Sequence, residues 1–185
     1  MTGSPPTAIS LPRLTLVVGG ARSGKSSYAE RLITAAQRPR HYIATAEAWD
    51  SEMTERIAQH RADRGKGWIT HNAPLTAAAA LADIPANAAA LLDCATLWLS
   101  NILLADRDTA AETETLLAAL STCAAPVVIV SNEVGWGIVP ENPLARAFRD
   151  HQGRLNQRLA AQADSVITVI AGLPLALKGA DMAPK

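Results

Sequence analysis

The sequence predicts an α/β fold with a mostly parallel sheet flanked by helices, and three observations carry that expectation. Short apolar runs alternate with longer amphipathic stretches along most of the chain. The first run, LTLVV at 14–18, passes directly into a glycine-rich turn, GGARSGKS, and then into a helix-prone segment. The run PVVIVS at 126–131 is β-branched and opens on proline, as a buried strand does.

A chain of 185 residues suits one compact core and not two. Residues 1–13 read as a flexible leader and 14–185 as a single domain. The segment MTGSPPTAISLP lacks the basic and apolar regions of a signal peptide. No apolar run approaches the roughly 18 residues of a membrane span, so a cytoplasmic protein without membrane insertion is expected.

The elements follow in order. After LTLVV, a helix is expected from the glycine-rich turn through Gln37. HYIATA at 41–46 is the second strand, and a charged helix covers Asp50 to Arg64. The break GKG leads into WITHNA as a third strand, and Pro74 opens an alanine-rich helix that ends before Pro85. AAALLD at 88–93 reads as a buried strand, followed by helices over 95–105 and 110–124. Beyond PVVIVS comes a loop at 132–143 rich in Gly, Pro and Asn, then an amphipathic helix from Leu144 to Ala163. SVITVIAG supplies another strand, and LPLALK its C-terminal hairpin partner.

Composition excludes some functions. Lysine and arginine total 17, matched by 17 aspartates and glutamates, so the basic excess of a nucleic-acid binder is missing. Cys94 and Cys123 form no CxxC and sit in apolar stretches, as small buried residues of a reducing compartment do. His41, His60, His71 and His151 are scattered along the chain with no zinc-type spacing.

GGARSGKS fits G-x-x-x-x-G-K-[ST], the phosphate-binding loop, or P-loop, of nucleotide-binding enzymes. Its residues are Gly19, Gly20, Ala21, Arg22, Ser23, Gly24, Lys25 and Ser26. Glycines let backbone N–H groups close around a phosphate with no Cβ in the way. Lys25 brings a mobile cation to the β- and γ-phosphates, the Ser26 hydroxyl suits Mg²⁺, and the helix N-terminus adds its partial positive charge. ATP and GTP are the expected substrates. A second carboxylate is needed near the metal, and Asp93 and Glu133 each end an apolar run. Asp93 could instead cap the helix that starts near Ala95.

Arg56, His60 and Arg64 recur every four residues and share one helical face, with Arg61 at its edge. Such a face could meet a polyphosphate, where a neutral imidazole presents a lone pair for attack on phosphorus. It could equally be a solvated face with Glu52 paired to Arg56. Spacing alone leaves both open.

Three segments carry a resemblance: LVVGGARSGKSSYAE, YIATAEAWDSEMTERIAQHRADRGKGWIT and SNEVGWGIVPENPLARAFRDHQGRLNQRLAAQAD. Together they resemble the bifunctional adenosylcobinamide kinase/adenosylcobinamide-phosphate guanylyltransferase family of cobalamin biosynthesis, over residues 14–178. The resemblance implies a RecA-like P-loop core and a homotrimer. It implies phosphorylation of adenosylcobinamide, then transfer of GMP from GTP to that phosphate, through GMP bound to a histidine. The matching position is His60, since Arg61 after it sets the register; some relatives also carry histidine at the position of Gln59. By the same resemblance Ala44, Thr45 and Ala46 border the nucleotide, as do Arg61, Ala62, Asp63 and Arg64. Asp93 matches an acid that contacts the guanosine ribose. Asn72 stands where relatives carry an acid, and its amide still hydrogen-bonds a hydroxyl. The loop NEVGWGIVPENP, with Trp136, is expected beside the corrinoid or at a subunit contact.

Two rival readings are weaker. A plain small-molecule kinase would need no histidine nucleophile. A GTP-dependent switch would need an N-K-x-D motif, and the D-x-x-G match at Asp150 to Gly153 falls inside a predicted helix.

Overall fold

The structure is a computed structural model that describes residues 8–179, apart from Trp49 and the side chain of Arg56. The first strand β1 (Leu14–Gly19) enters helix α1 (Lys25–Ala35), then β2 (Arg40–Ala44), α2 (Ser51–Arg64) and β3 (Trp68–Asn72). Next come α3 (Ala77–Ala82), β4 (Ala89–Asp93), α4 (Ala95–Leu104), α5 (Thr109–Thr122) and β5 (Val127–Asn132). The chain closes with α6 (Pro143–Gln162), β6 (Ser165–Ile170) and β7 (Leu173–Lys178).

The strands form a seven-stranded sheet in the order β3-β2-β4-β5-β1-β6-β7. Every neighbouring pair is parallel except β6–β7, the C-terminal hairpin. Alternation along β1 explains the two-layered core. Leu14, Leu16 and Val18 join the larger apolar cluster beneath α3 to α6, while Val17 joins the cluster beneath α1. Both cysteines are buried and free.

Several boundaries differ from the sequence expectation, each for a local reason. Helix α1 stops at Ala35 because Gln37 takes a left-handed φ of 53°. Helix α3 starts at Ala77 and not at Pro74, whose carbonyl accepts a bond from Asn101 Nδ2. The residues read as a leader divide: 1–7 lie outside the described residues, while Ile9 and Leu11 pack against the smaller core. The Ile9 N–H also donates to the Ala35 carbonyl at 3.1 Å. Among the described residues no helix is long and apolar enough to cross a membrane.

Parallel strands end on one edge of the sheet, and there the site forms. The order brings the C-terminal ends of β1, β5, β4, β2 and β3 side by side, with Gly19 beside Asn132 and Ala44 beside both Asp93 and Asn72.

Candidate nucleotide site

The loop after β1 is tightly built. A Cβ at Gly19 would lie 2.6 Å from both Ser23 Oγ and the Val169 carbonyl oxygen, so no side chain fits there. Gly24 caps α1 with φ 92°, the left-handed region. The Gly172 N–H donates to the Ser23 carbonyl at 2.8 Å, bracing the loop against the turn of the C-terminal hairpin. Gly20, Ala21 and Arg22 are exposed at the crest of the loop, and Arg22 itself adopts a left-handed φ of 55°. Lys25 is buried and its Nζ donates to the Gly20 carbonyl at 3.1 Å.

Beside the loop opens a cavity of about 680 Å³, a size suited to a nucleotide. Lys25 and Ser26 line it from the loop, Ala44 from the end of β2 with Ala46 just beyond, and Asp93 and Cys94 from the end of β4. The opposite wall is α2, whose Met53, Ile57, His60 and Arg64 follow the spacing of one helical face, with Arg61 alongside. Thr70 and Asn72 complete the wall from β3. His60 is exposed, so its ring is accessible from the cavity.

Helix α2 is held at both ends. The Asp50 carboxylate accepts from the Met53 N–H at 2.7 Å, an N-cap. At the other end, the Arg64 guanidinium lies 3.6 Å from the centroid of the Tyr42 ring and donates to Thr70 Oγ1 at 3.1 Å. The Tyr42 hydroxyl in turn donates to Asp93 Oδ2 at 3.2 Å. Burial and the Asp93 charge push the tyrosine ionisation upward, so Tyr42 stays a donor.

The alternative in which Asp93 caps α4 is not what forms. Cys94 is the N-cap, accepting from the Leu97 N–H at 3.5 Å, and the Asp93 carboxylate lies on the cavity wall. Burial, then the Asp93 charge, push the Cys94 thiol up to about 11, which makes it an inert group. Glu30, on α1, does not line the cavity but feels the charges around it. Burial first and the nearby Asp93 carboxylate second push it up to about 7, partly offset by Arg64.

Some expected contacts are not on the cavity wall. Thr45 is fully buried; its Oγ1 donates to the Cys94 carbonyl and accepts from the Cys94 N–H, both at 2.8 Å, so it locks the end of β2 to the turn after β4. Ala62 and Asp63 are exposed on the other side of α2, and Asp63 Oδ1 accepts from Gln59 Nε2 at 2.6 Å. Glu133 accepts from Asn156 Nδ2 at 2.9 Å outside the cavity. The Arg56 side chain lies outside the described residues. The scattered histidines are not all apart: pairing of β2 with β3 puts His41 Nδ1 2.9 Å from His71 Nε2. Their ring centroids are 5.2 Å apart, so the N···N line spans most of the gap and the rings meet edge to edge.

A parallel sheet with a glycine-lysine-serine loop at its C-terminal edge defines a P-loop NTPase of the RecA-like type. Solved structures agree on that fold. The flagellar accessory protein FlaH from Methanocaldococcus jannaschii matches with a TM-score of 0.54 at 14% identity, covering 94% of this chain and 81% of that one. The RadB recombinase matches at 0.50 and 16%, covering 95% and 84%. Residues 15–177 match the family described as cobinamide kinase / cobinamide phosphate guanyltransferase. A bifunctional adenosylcobalamin biosynthesis protein, CobP, from Pseudomonas aeruginosa is 46% identical over 167 residues, covering 89% of this chain and 96% of that protein. A second, CobU from Salmonella typhimurium, is 43% identical, covering 89% and 99%. The chain belongs to this family of bifunctional cobinamide kinases and guanylyltransferases.

Proposed function

We propose that this protein phosphorylates adenosylcobinamide with ATP or GTP and then transfers GMP from GTP, through a guanylylated His60, to give adenosylcobinamide-GDP and pyrophosphate. The observation that supports this most is that His60 lines the same cavity as Lys25 and Ser26 of the phosphate loop. A kinase needs no histidine nucleophile; a histidine across the nucleotide adds one for the α-phosphorus.

In the first reaction the acceptor alcohol oxygen bonds to the γ-phosphorus, and the nucleoside diphosphate leaves. In the second, a ring nitrogen of neutral His60 bonds to the α-phosphorus and pyrophosphate leaves. A phosphate oxygen of the acceptor then displaces the histidine and restores it. Loop N–H groups, Lys25 and Arg61 offset polyphosphate charge in both. Ser26 and Asp93, two hard oxygen donors lining one cavity, fit Mg²⁺, which would neutralise charge on the phosphates. In this reading Asn72 and Asp93, both lining the cavity, contact the nucleoside. A homotrimer and a cytoplasmic location complete the reading; exposed Trp136 and Ile138 supply apolar surface for an assembly or for the corrinoid.

The test is product analysis with adenosylcobinamide, GTP and Mg²⁺. Adenosylcobinamide phosphate should accumulate first, followed by adenosylcobinamide-GDP with one pyrophosphate per GMP transferred. Phosphorylated product alone, with no pyrophosphate, would reduce the protein to a plain kinase.

A further inference from the structure

We propose that Glu133 is the general base of the phosphorylation half-reaction and that Asn156 is the residue positioning it; this rests on the function proposed above. The two half-reactions differ in their protons. A neutral imidazole and a phosphate oxygen attack phosphorus through lone pairs already free. An alcohol must lose its proton as it attacks. One base is therefore needed, for one reaction only.

Of the carboxylates around the loop, Asp93 lines the His60 cavity and already accepts from Tyr42. Glu133 sits elsewhere. It is the first residue beyond β5, and its N–H donates to the carbonyl of Gly19, the first residue of the phosphate loop, at 3.1 Å. It is not on the His60 cavity wall, although Asn132 directly before it is, so it stands at the rim between that cavity and the exposed segment that follows. The segment that starts there exposes Trp136 and Ile138, apolar surface suited to a large acceptor.

The support beneath Glu133 is unusual for a core. Gln152 and Ser131 are fully buried and Asn156 nearly so. Asn156 Nδ2 donates to Glu133 Oε1 at 2.9 Å and to the Asn132 carbonyl at 3.0 Å. Its Oδ1 accepts from Ser131 Oγ at 2.6 Å and from Gln152 Nε2 at 2.9 Å, which fixes the amide's orientation. From the other side, the Asn132 N–H donates to Thr96 Oγ1 at 2.8 Å. Burying polar groups costs stability unless they are paired; these bonds converge on Ser131 to Glu133, while Gln152 Oε1 and Asn132 Oδ1 find no partner among the described residues. Oε2 accepts no bond from the described residues, which leaves it to receive a proton.

In the proposed step, the acceptor O–H proton passes to Glu133 as the oxygen bonds to the γ-phosphorus. The bond from that phosphorus to the bridging oxygen breaks, and its electron pair leaves on the nucleoside diphosphate. Glu133 then returns the proton to solvent.

The experiment uses the full chain and compares phosphorylation of adenosylcobinamide with GMP transfer to pre-made adenosylcobinamide phosphate. Glu133→Gln should lower the ratio of the two rates by about 10²-fold, through kcat and not through nucleotide KM. Asn156→Ala should lower it by about 10-fold and move the acid limb of the phosphorylation pH profile upward, because the carboxylate loses a donor. GMP transfer in the same preparation shows that each variant is folded. A ratio within about 3-fold of the parent in Glu133→Gln, or equal loss of both reactions, would overturn the assignment. Absence of phosphorylation in the parent would overturn the functional reading itself.

Discussion

Arg64 and Tyr42 are joined face to cation, 3.6 Å apart, and this contact ties the helix that carries His60 to the strand beside Asp93. Arg64 therefore works from within the wall of the site, with Thr70 as its second partner. Tyr42→Leu removes both the platform for Arg64 and the donor to Asp93, and guanylylation should slow by about 10-fold or more. Tyr42→Phe keeps the platform and loses one hydrogen bond, a cost of about 1 kcal/mol. Single-turnover guanylylation of the two variants separates the roles: equal slowing would show that the ring contact with α2 contributes nothing.

The loop tolerates no side chain at its first residue. A Cβ at Gly19 would meet the Val169 backbone oxygen at 2.6 Å, which cannot swing away as a side chain would. Gly19→Ala should cost about 1–3 kcal/mol in stability and weaken nucleotide binding. Urea unfolding and a fluorescent-GTP titration measure the two effects. An unchanged unfolding midpoint would contradict the packing described.

The His41–His71 pair makes stability depend on pH. Burial, then the neighbouring imidazole, holds His41 below its ordinary value of 6.5. The unfolded chain therefore binds more protons just below that value, and stability falls as pH drops through the ordinary value toward the lowered one. Once both rings are charged, the two bonding nitrogens are both N–H and the 2.9 Å bond is lost. His71→Gln should flatten the fall in unfolding free energy between about pH 7 and pH 5 by on the order of 1 kcal/mol. An identical slope in parent and variant would rule the pair out.

Glu30 works in the opposite direction. Its carboxyl is raised from 4.5 to about 7, so the folded state holds a proton that the unfolded state releases. This contribution is fully present at low pH and is lost as pH rises through that window. In nucleotide-free, Mg²⁺-free buffer at pH 8, Glu30→Gln should be more stable than the parent by about 1 kcal/mol, allowing for screening at a half-buried site. A variant less stable at pH 8 would show that the carboxylate is held by a favourable contact.

Much of this was legible in the chain. The loop Gly19–Ser26 is a contiguous pattern whose spacing states its chemistry, and the parallel strands announce themselves by β-branched runs. His60 was visible through a family resemblance, since helical spacing alone leaves its face open to a solvated reading. Met53 and Ile57 share that face and mark it as a cavity wall, a signal available from their spacing with His60 and Arg64. The rest depends on strand order. Tyr42 meets Asp93, and His41 meets His71, because β2 lies between β3 and β4, and no local pattern encodes that neighbourhood. The packing of Glu30 and Thr45 was not legible for the same reason. Their surroundings come from distant segments, and burial then decides their behaviour.

One cavity brings the phosphate loop and His60 together, and the proposed function requires both to act on the same nucleotide. Incubation with Mg²⁺ and α-labelled GTP, followed by denaturing gel analysis, tests it most directly. The parent should acquire an acid-labile label that γ-labelled GTP does not give, and His60→Ala should acquire none while still binding GTP. Label retained by His60→Ala would contradict the account.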